Sequence, residues 1–416
     1  MTKAEKIKAT LQATKERRKA QRPVTYALKI QNLSRQKEER LNRVFLEAKW
    51  LYNWLVSDSN RLDLPTHKIA QVEIKVGDKF ETRDLQVLGG QVKQEIANRI
   101  KDNLKGLRRL KERGHKVGAL KPKPFVNSIP LIQYGNTYKI DFRRNKVKIV
   151  RLGEFRVLGL HQIPPNAEIA SATLIRKPSG YYLYVTCYLP KDEGYPEPIA
   201  EAVGIDFGVK DKLTLSNGLR IDFEVPETKR LKRLQKLLAR KQKGSKNREK
   251  VLRLLRREYE RIANRRRDCQ NKIIAFLKHY RVVVWQDDNI KSWAAQFGKQ
   301  VHCSGIGGLK LRLSASLRTP ILVGRFAPTS QICAACGQKL SLTLSDRVLR
   351  CDCGWVCDRD LNSALNILRL GLSLNQPVGL DRPELTPVEW QTAVRILGSN
   401  PYIRISCHDE AGSRRS

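Results

Sequence analysis

The chain has 416 residues, with 80 Lys and Arg against 41 Asp and Glu and a formal net charge of +39. That length outgrows a single core and predicts several domains, while an apolar content of 41% excludes a disordered polymer. So large a cationic excess repels itself unless a polyanion neutralises it. Nucleic acid is the expected partner, since its phosphates lie about 1.7 Å apart along a duplex axis.

Residues 1–22 are basic and helix-prone, and the opening "MTKAEKIKAT" carries no signal-peptide apolar stretch. No apolar run reaches the roughly 20 residues of a spanning helix, so a soluble intracellular protein is expected. "VTYALKI" (24–30) alternates as a strand does. From Ser34 to Ser57, Leu41, Phe45, Ala48, Leu51 and Leu55 recur at helical spacing, flanked by Trp50 and Trp54. A second helix is expected from Val87 to Arg113, closed by a basic turn and glycines. Residues 117–192 break into short β-rich runs, among them "TYKIDF", "KVKIV", "FRVLGL", "ATLIRK" and "YYLYVTCYL". They suggest an antiparallel barrel that the early strand can join. "DEGYPEPIA" (192–200) reads as a linker.

Beyond it, "AVGIDFGVKDKLTLSNGLRIDF" predicts two strands around a turn at Asn217-Gly218. The stretch from Lys229 to His279 is the most basic of the chain. Gly244-Ser245 divides it into two helices with a leucine stripe and cations elsewhere. Arg253, Arg256, Arg257, Arg265, Arg266 and Arg267 are its candidate phosphate contacts. "RVVVWQDDNI" follows as a buried strand with an acidic end.

Nine cysteines in a chain of this size do not read as a disulfide scaffold. Cys187, Cys269, Cys303 and Cys407 are scattered and are expected to be small buried apolar residues. Cys333-x-x-Cys336-Gly and Cys351-x-Cys353-Gly form two pairs around a short β-like insert. Four thiolates so paired suit a structural tetrahedral Zn²⁺, with Cys357 as a possible substitute ligand. Carboxylates supply a second signal. Asp206 interrupts an apolar strand, Asp287 and Asp288 end another, and Asp358 and Asp360 open the helical pattern "DLNSALNIL". Three acids brought together from two strands and a helix start are an arrangement that holds two Mg²⁺.

"GIDFGVKDKLTLSNG", "VVWQDDNIKSW", "APTSQICAACG" and "CDCGWVCDRDLNSALNIL" occur here in the order seen in TnpB, which the chain therefore resembles. TnpB proteins are transposon-encoded, RNA-guided DNA nucleases similar to compact type V CRISPR effectors. The likeness is strong over 202–370 and one of layout over 24–195. It implies an α+β multidomain fold. Residues 1–33 would be a basic arm with the first wedge strand, 34–116 a helical recognition module, and 117–195 the wedge barrel. Residues 202–330 would be an RNase H-like RuvC domain carrying the basic hairpin. The zinc ribbon is placed at 331–357, the last RuvC segment at 358–372 and a tail at 373–416. It further implies Asp206 and Asp360 as the first and third catalytic carboxylates, a guide RNA and target DNA as partners, Mg²⁺ at the carboxylates, and a prokaryotic cytoplasm.

The second carboxylate departs from the pattern, because relatives carry glutamate where this chain reads "QDDN". Gln286 and Asp288 share one face of a strand and Asp287 the other; the best match assigns Asp288, one methylene short. Three functions follow: a guided Mg²⁺-dependent endonuclease, a guided DNA-binding protein with weak or absent cleavage, and an RNA-independent resolvase or transposase.

Overall fold

The structure, a computed structural model, describes residues 2–191, 193–209, 211–298, 301, 304–343, 346–373 and 384–407. Chain packing separates two units, Met1–Glu193 and Gly194–Ser416.

In the first unit, helix α1 (Lys3–Lys19) starts at a reciprocal cap between Thr2 and Glu5. Strand β1 (Gln21–Gln31) runs straight on from it. Helix α2 (Arg35–Ser57) begins where Ser34 accepts the Lys37 N–H, and it buries the apolar stripe read from the sequence. The hairpin β2 (Gln71–Val76) and β3 (Lys79–Asp84) was not anticipated; Val72, Ile74 and Val76 do alternate along β2, but the run is short and stands between two helical patterns. Buried Glu47 then accepts the backbone N–H groups of Gln86, Val87 and Leu88 at 2.9–3.0 Å, fixing the entry to α3 (Gly90–Glu112).

Strands β4 (Ser128–Leu131), β5 (Tyr138–Asp141), β6 (Lys146–Ile149), β7 (Gly153–Leu158), β8 (Glu168–Lys177) and β9 (Gly180–Pro190) complete the unit. With β1 they form a nearly closed, barrel-like sheet ordered β4-β8-β9-β1-β7-β6-β5. The early strand lies at its centre, antiparallel to β9 and β7. The helical stretch is thus inserted between strands of one sheet.

In the second unit, β10 (Ala200–Phe207), β11 (Leu213–Leu215) and β12 (Leu219–Phe223) form an antiparallel meander. Three strands replace the two expected, because the polar segment after Phe207 turns, with the Gly208 N–H donating to Lys212 O at 3.3 Å. Helices α4 (Lys229–Ala239) and α5 (Lys246–Leu277) follow, divided at the expected break, with Ser245 capping α5. Strand β13 (Tyr280–Gln286) pairs in parallel with β10, setting Gly204 opposite Val284 and Ile205 opposite Trp285. After α6 (Ile290–Phe297) and α7 (Ile306–Ser316), β14 (Thr319–Val323) adds in parallel to β13. A small hairpin, β15 (Val348–Arg350) and β16 (Val356–Asp358), leads into helix α8 (Arg359–Gly371).

The segment after 373, expected as a tail, instead contains α9 (Pro387–Leu397) and β17 (Ile403–Cys407), which pairs with β12 and extends the sheet to β14-β13-β10-β11-β12-β17. Its anchor is the buried Glu389, which accepts from Asn217 Nδ2 at 2.9 Å and Tyr280 Oη at 3.0 Å. One buried carboxylate in a polar stretch leaves no periodic signal. Cys187 and Cys269 are buried as expected and Cys407 is exposed; Cys303 lies outside the described residues. Among the described residues no helix is long and apolar enough to cross a membrane.

Helix α8 lies against β10 and β13, and two glycines permit it, Gly371 of the helix at Val284 and Gly204 of β10. A Cβ on Gly204 would stand 2.3 Å from Ala364 O and 2.8 Å from Leu368 Cβ. Gly204→Ala should therefore push α8 off the sheet and cost at least the 1–3 kcal/mol of an overpacked core. Thermal denaturation should show a fall in Tm of several degrees; an unchanged Tm would mean that α8 does not depend on this contact.

Candidate metal centres and nucleic-acid face

Strands β10 and β13 are parallel, so their carboxyl ends lie at the same edge of the sheet, where sites are commonly built in α/β sheets. Asp206 is the penultimate residue of β10, and Asp288 stands two residues beyond β13. Asp360 lies in the first turn of α8, whose N-cap is Asp358: its Oδ1 accepts the N–H groups of Asp360 and Leu361 at 3.0 and 3.3 Å. Asp358 is in turn held by Arg220 Nη2 at 2.8 Å. The two aspartates of "DRD" therefore do different work, one capping the helix and the other facing the sheet.

Burial, then the negative charges of Asp360 and Asp288, raise the Asp206 carboxyl well above the ordinary range. Burial, then Asp358, raises that of Asp360. Asp206 thus lies close enough to both Asp360 and Asp288 to feel their charge. Among the described residues, though, the three do not draw their oxygens to within 4.8 Å as a single-ion cage would. A pair of ions about 3.5–4 Å apart needs a wider cradle than one, and carboxylate oxygens are the donors that hard divalent cations take.

Two neighbours of this site, Lys310 and Arg325, were missed in the sequence, and the amide role of Gln286 was not foreseen. Lys310, on α7, donates to Asp288 Oδ2 at 2.6 Å and to Gln286 O at 2.7 Å. Its side chain also sits 4.9 Å from the Phe207 ring centre. Arg325 donates to Asp287 O and Asp287 Oδ2, both at 3.0 Å, holding Asp287 apart from Asp288. Gln286 is fully used: Nε2 donates to Gly324 O, Arg325 O and Ala327 O at 2.9–3.1 Å, and Oε1 accepts from Thr329 Oγ1 at 3.1 Å. A carboxylate at 286 would face three carbonyl oxygens, so the position suits an amide. None of these three residues carries a local sequence signal, since each acts on a segment far along the chain.

The four cysteines do converge. Cys333 Sγ lies 3.8 Å from Cys353 Sγ, Cys336 Sγ lies 3.6 Å from Cys351 Sγ, and all four are within 4.8 Å of one another. Sulfurs about 2.3 Å from a tetrahedral Zn²⁺ stand about 3.8 Å apart, so the cluster fits that ion. Backbone N–H donation from Gln338 draws the Cys336 thiol down to about 7, whereas burial pushes Cys333 up to about 12. Cys357 lies outside the cluster, packed on β16 with Leu349, Trp355 and Leu361.

Two asparagines tie this ribbon to α8. Asn362 accepts the Ala334 N–H at 2.9 Å and donates to Ile332 O at 2.7 Å. One turn later Asn366 donates to Ile332 O at 2.7 Å and Thr329 O at 2.9 Å. Both side chains are buried.

Helix α5 has 32 residues, a length of about 48 Å. Arg253, Arg256, Arg257, Arg265 and Arg267 are exposed along it. Arg266 is only half-exposed, with its Nε buried, so it departs from the expected surface role. Arg265 also lies over the Tyr402 ring at 5.6 Å.

The family model described as "Probable transposase" matches residues 186–280, the segment carrying Asp206 and the basic hairpin. That described as "Cas12f1-like, TNB domain" matches 314–367, which holds the cysteine cluster and Asp360. A Streptomyces pristinaespiralis protein named "Putative RNA-guided DNA endonuclease" is 33% identical over 224 residues, covering 51% of this chain and 55% of its own length. The Escherichia coli (strain K12) protein "Putative RNA-guided DNA endonuclease InsQ" is 29% identical over 281 residues, 60% of this chain and 69% of its own. The chain is similar to TnpB. The four cysteines, in the second matched segment, converge as the paired spacing predicted, while Asp288, expected at the end of the strand, stands two residues beyond it.

The raised Asp206 carboxyl makes a testable statement about stability. Without metal, burial and the neighbouring acids favour the protonated form of Asp206 relative to an unfolded carboxyl, of pKa about 3.9. That preference supports the fold below the unfolded value and is lost as pH rises through the raised one. Asp206→Asn should therefore raise the metal-free Tm near neutral pH and change it little near pH 4. An equal shift at both pH values would remove the electrostatic explanation.

Proposed function

We propose that the chain is an RNA-guided, Mg²⁺-dependent DNA endonuclease of the TnpB type, with a RuvC-like site made by Asp206, Asp288 and Asp360. The observation that carries this reading is the grouping of these acids at one edge of a mixed sheet. Parallel β10 and β13 with α8 laid across them support an RNase H-like assignment for the second unit, as the barrel-like sheet supports the wedge assignment for the first.

Bound Mg²⁺ would supply Lewis acidity at a phosphodiester and a more acidic attacking water. The chain's own residues do the placing. The three carboxylates would hold the ions, and Asp358 and Arg220 fix the helix start from which Asp360 projects. Gln286 holds the 324–327 segment whose Arg325 pairs with Asp287, which would leave Asp288 as the acid of the "QDDN" segment available to a metal. The four cysteines would hold a structural Zn²⁺. The arginines of α5 would neutralise phosphates without reading bases. A guide RNA would then provide target specificity, the protein holding the paired strands by shape and charge.

One observation favours a second reading, guided binding with weak cleavage. Asp288 is short for its position and already has Lys310 on one oxygen, so its metal geometry is the weakest of the three. Displacements of about 1 Å in a catalytic group cost up to about 100-fold in rate.

The test is cleavage of a guide-matched DNA by protein purified with its RNA. Asp206→Ala and Asp360→Ala should lower cleavage by at least about 100-fold while guided binding stays near the unaltered level, since guide pairing and backbone contacts carry affinity. Asp288→Glu should raise the rate if the missing methylene limits it. Sequence-specific DNA binding by RNA-free protein would instead point to a resolvase or transposase.

A further inference from the structure

Among the described residues the two most exposed large apolar side chains are Phe326, at 93%, and Leu311, at 80%. Single exposed apolar residues are ordinary on protein surfaces, but the placement of these two is not scattered. Each directly follows a cation bound to the acidic turn, Lys310 on Asp288 and Arg325 on Asp287.

Phe326 is also held out by its own backbone. The carbonyls of Gly324, Arg325 and Ala327 all converge on the Gln286 amide, and the Ala327 N–H donates back to Gly324 O at 3.1 Å. Arg325 is fixed separately on Asp287. The residues on both sides of Phe326 are therefore anchored to the end of β13. The backbone that carries the ring is thereby fixed, and the ring itself is 93% exposed.

We propose that Phe326 is a stacking platform for one unpaired nucleobase of the DNA strand entering the aspartate site. The location rests on the nuclease reading above; the stacking does not require cleavage to be observed. An aromatic face takes any base, so the contact tolerates sequence. Bases inside a duplex have both faces covered by their neighbours, so a platform beside the acids selects a strand that is already separated. The guanidinium of Arg325 stands next in the chain, where it can meet a phosphate of the stacked nucleotide. The acids alone would repel that backbone, which makes a neutral contact at their rim useful.

The test uses full-length protein in Mg²⁺ buffer with two probes of equal length, a short single-stranded oligodeoxythymidine and an abasic oligomer carrying the same phosphates. Phe326→Ala should weaken binding of the oligodeoxythymidine by about 5- to 100-fold, the range for one stacked base, and leave the abasic probe unchanged. Phe326→Trp should keep full affinity and show a fluorescence quench with the oligodeoxythymidine that the unaltered protein lacks. Equal affinity of Phe326→Ala and unaltered protein for the oligodeoxythymidine would overturn the proposal. So would an equal quench of Phe326→Trp by both probes, which would mark a phosphate effect or a surface meant for another partner. Cleavage is scored in parallel: an unaltered protein that never cuts a guide-matched target defeats the nuclease reading, while the two-probe comparison still decides the stacking.

Discussion

The contact on which the candidate site depends is the pair of asparagines that fastens helix α8 to the cysteine ribbon. Asn362 and Asn366 stand one turn apart on the buried face of α8, and both donate to Ile332 O. Removing either amide would leave buried backbone groups unsatisfied, a cost of about 1–3 kcal/mol each. The thiolate cluster begins at Cys333, one residue after that carbonyl, so a metal closing the ribbon would also fix the point to which the helix is tied. Asp360 lies in the first turn of that helix and inherits its position. The cysteine cluster stands beside the acids proposed for the site, and through these bonds it orients the element that carries one of them.

The other side of the helix is set by sheet packing and charge. Gly204 lets α8 come down on β10, only two residues before Asp206. The acids brought together in this way repel one another, as the raised carboxyls of Asp206 and Asp360 register. Lys310 offsets part of that repulsion at Asp288, and Arg220 performs the same service for the helix cap. Such a site is electrostatically incomplete on its own, which is what a site for divalent cations and a phosphate backbone requires.

Much of this was legible in the sequence, for identifiable reasons. The cysteine pairs were readable because metal ligation demands fixed local spacing, and Asp206 was readable as a charged residue inside an apolar run. The basic hairpin announced itself through its leucine stripe and its break at Gly244-Ser245. The β2–β3 hairpin was overlooked although Val72, Ile74 and Val76 alternate, because the run is short and only Val72 along it is buried. The extra strand and helix after 373 were hidden because their anchor, Glu389, bonds to Asn217 and Tyr280 far earlier in the chain. Lys310, Arg325 and the amide role of Gln286 escaped for the same reason: each is defined by a partner in another element. The register of "QDDN" was a matter of strand alternation, which cannot show that the Gln286 amide is bonded to the 324–327 segment and that Arg325 holds Asp287.

The central claim is that the ribbon positions the start of α8. It is tested most directly by amide hydrogen exchange before and after removal of zinc with a chelator. The account predicts that the amides of Ala334 and of the first turn of α8, from Asp360 to Ala364, lose protection together, while β10 and α9 keep theirs. Unchanged protection across α8 after the metal is gone would contradict it, and would leave sheet packing alone to hold Asp360 in place.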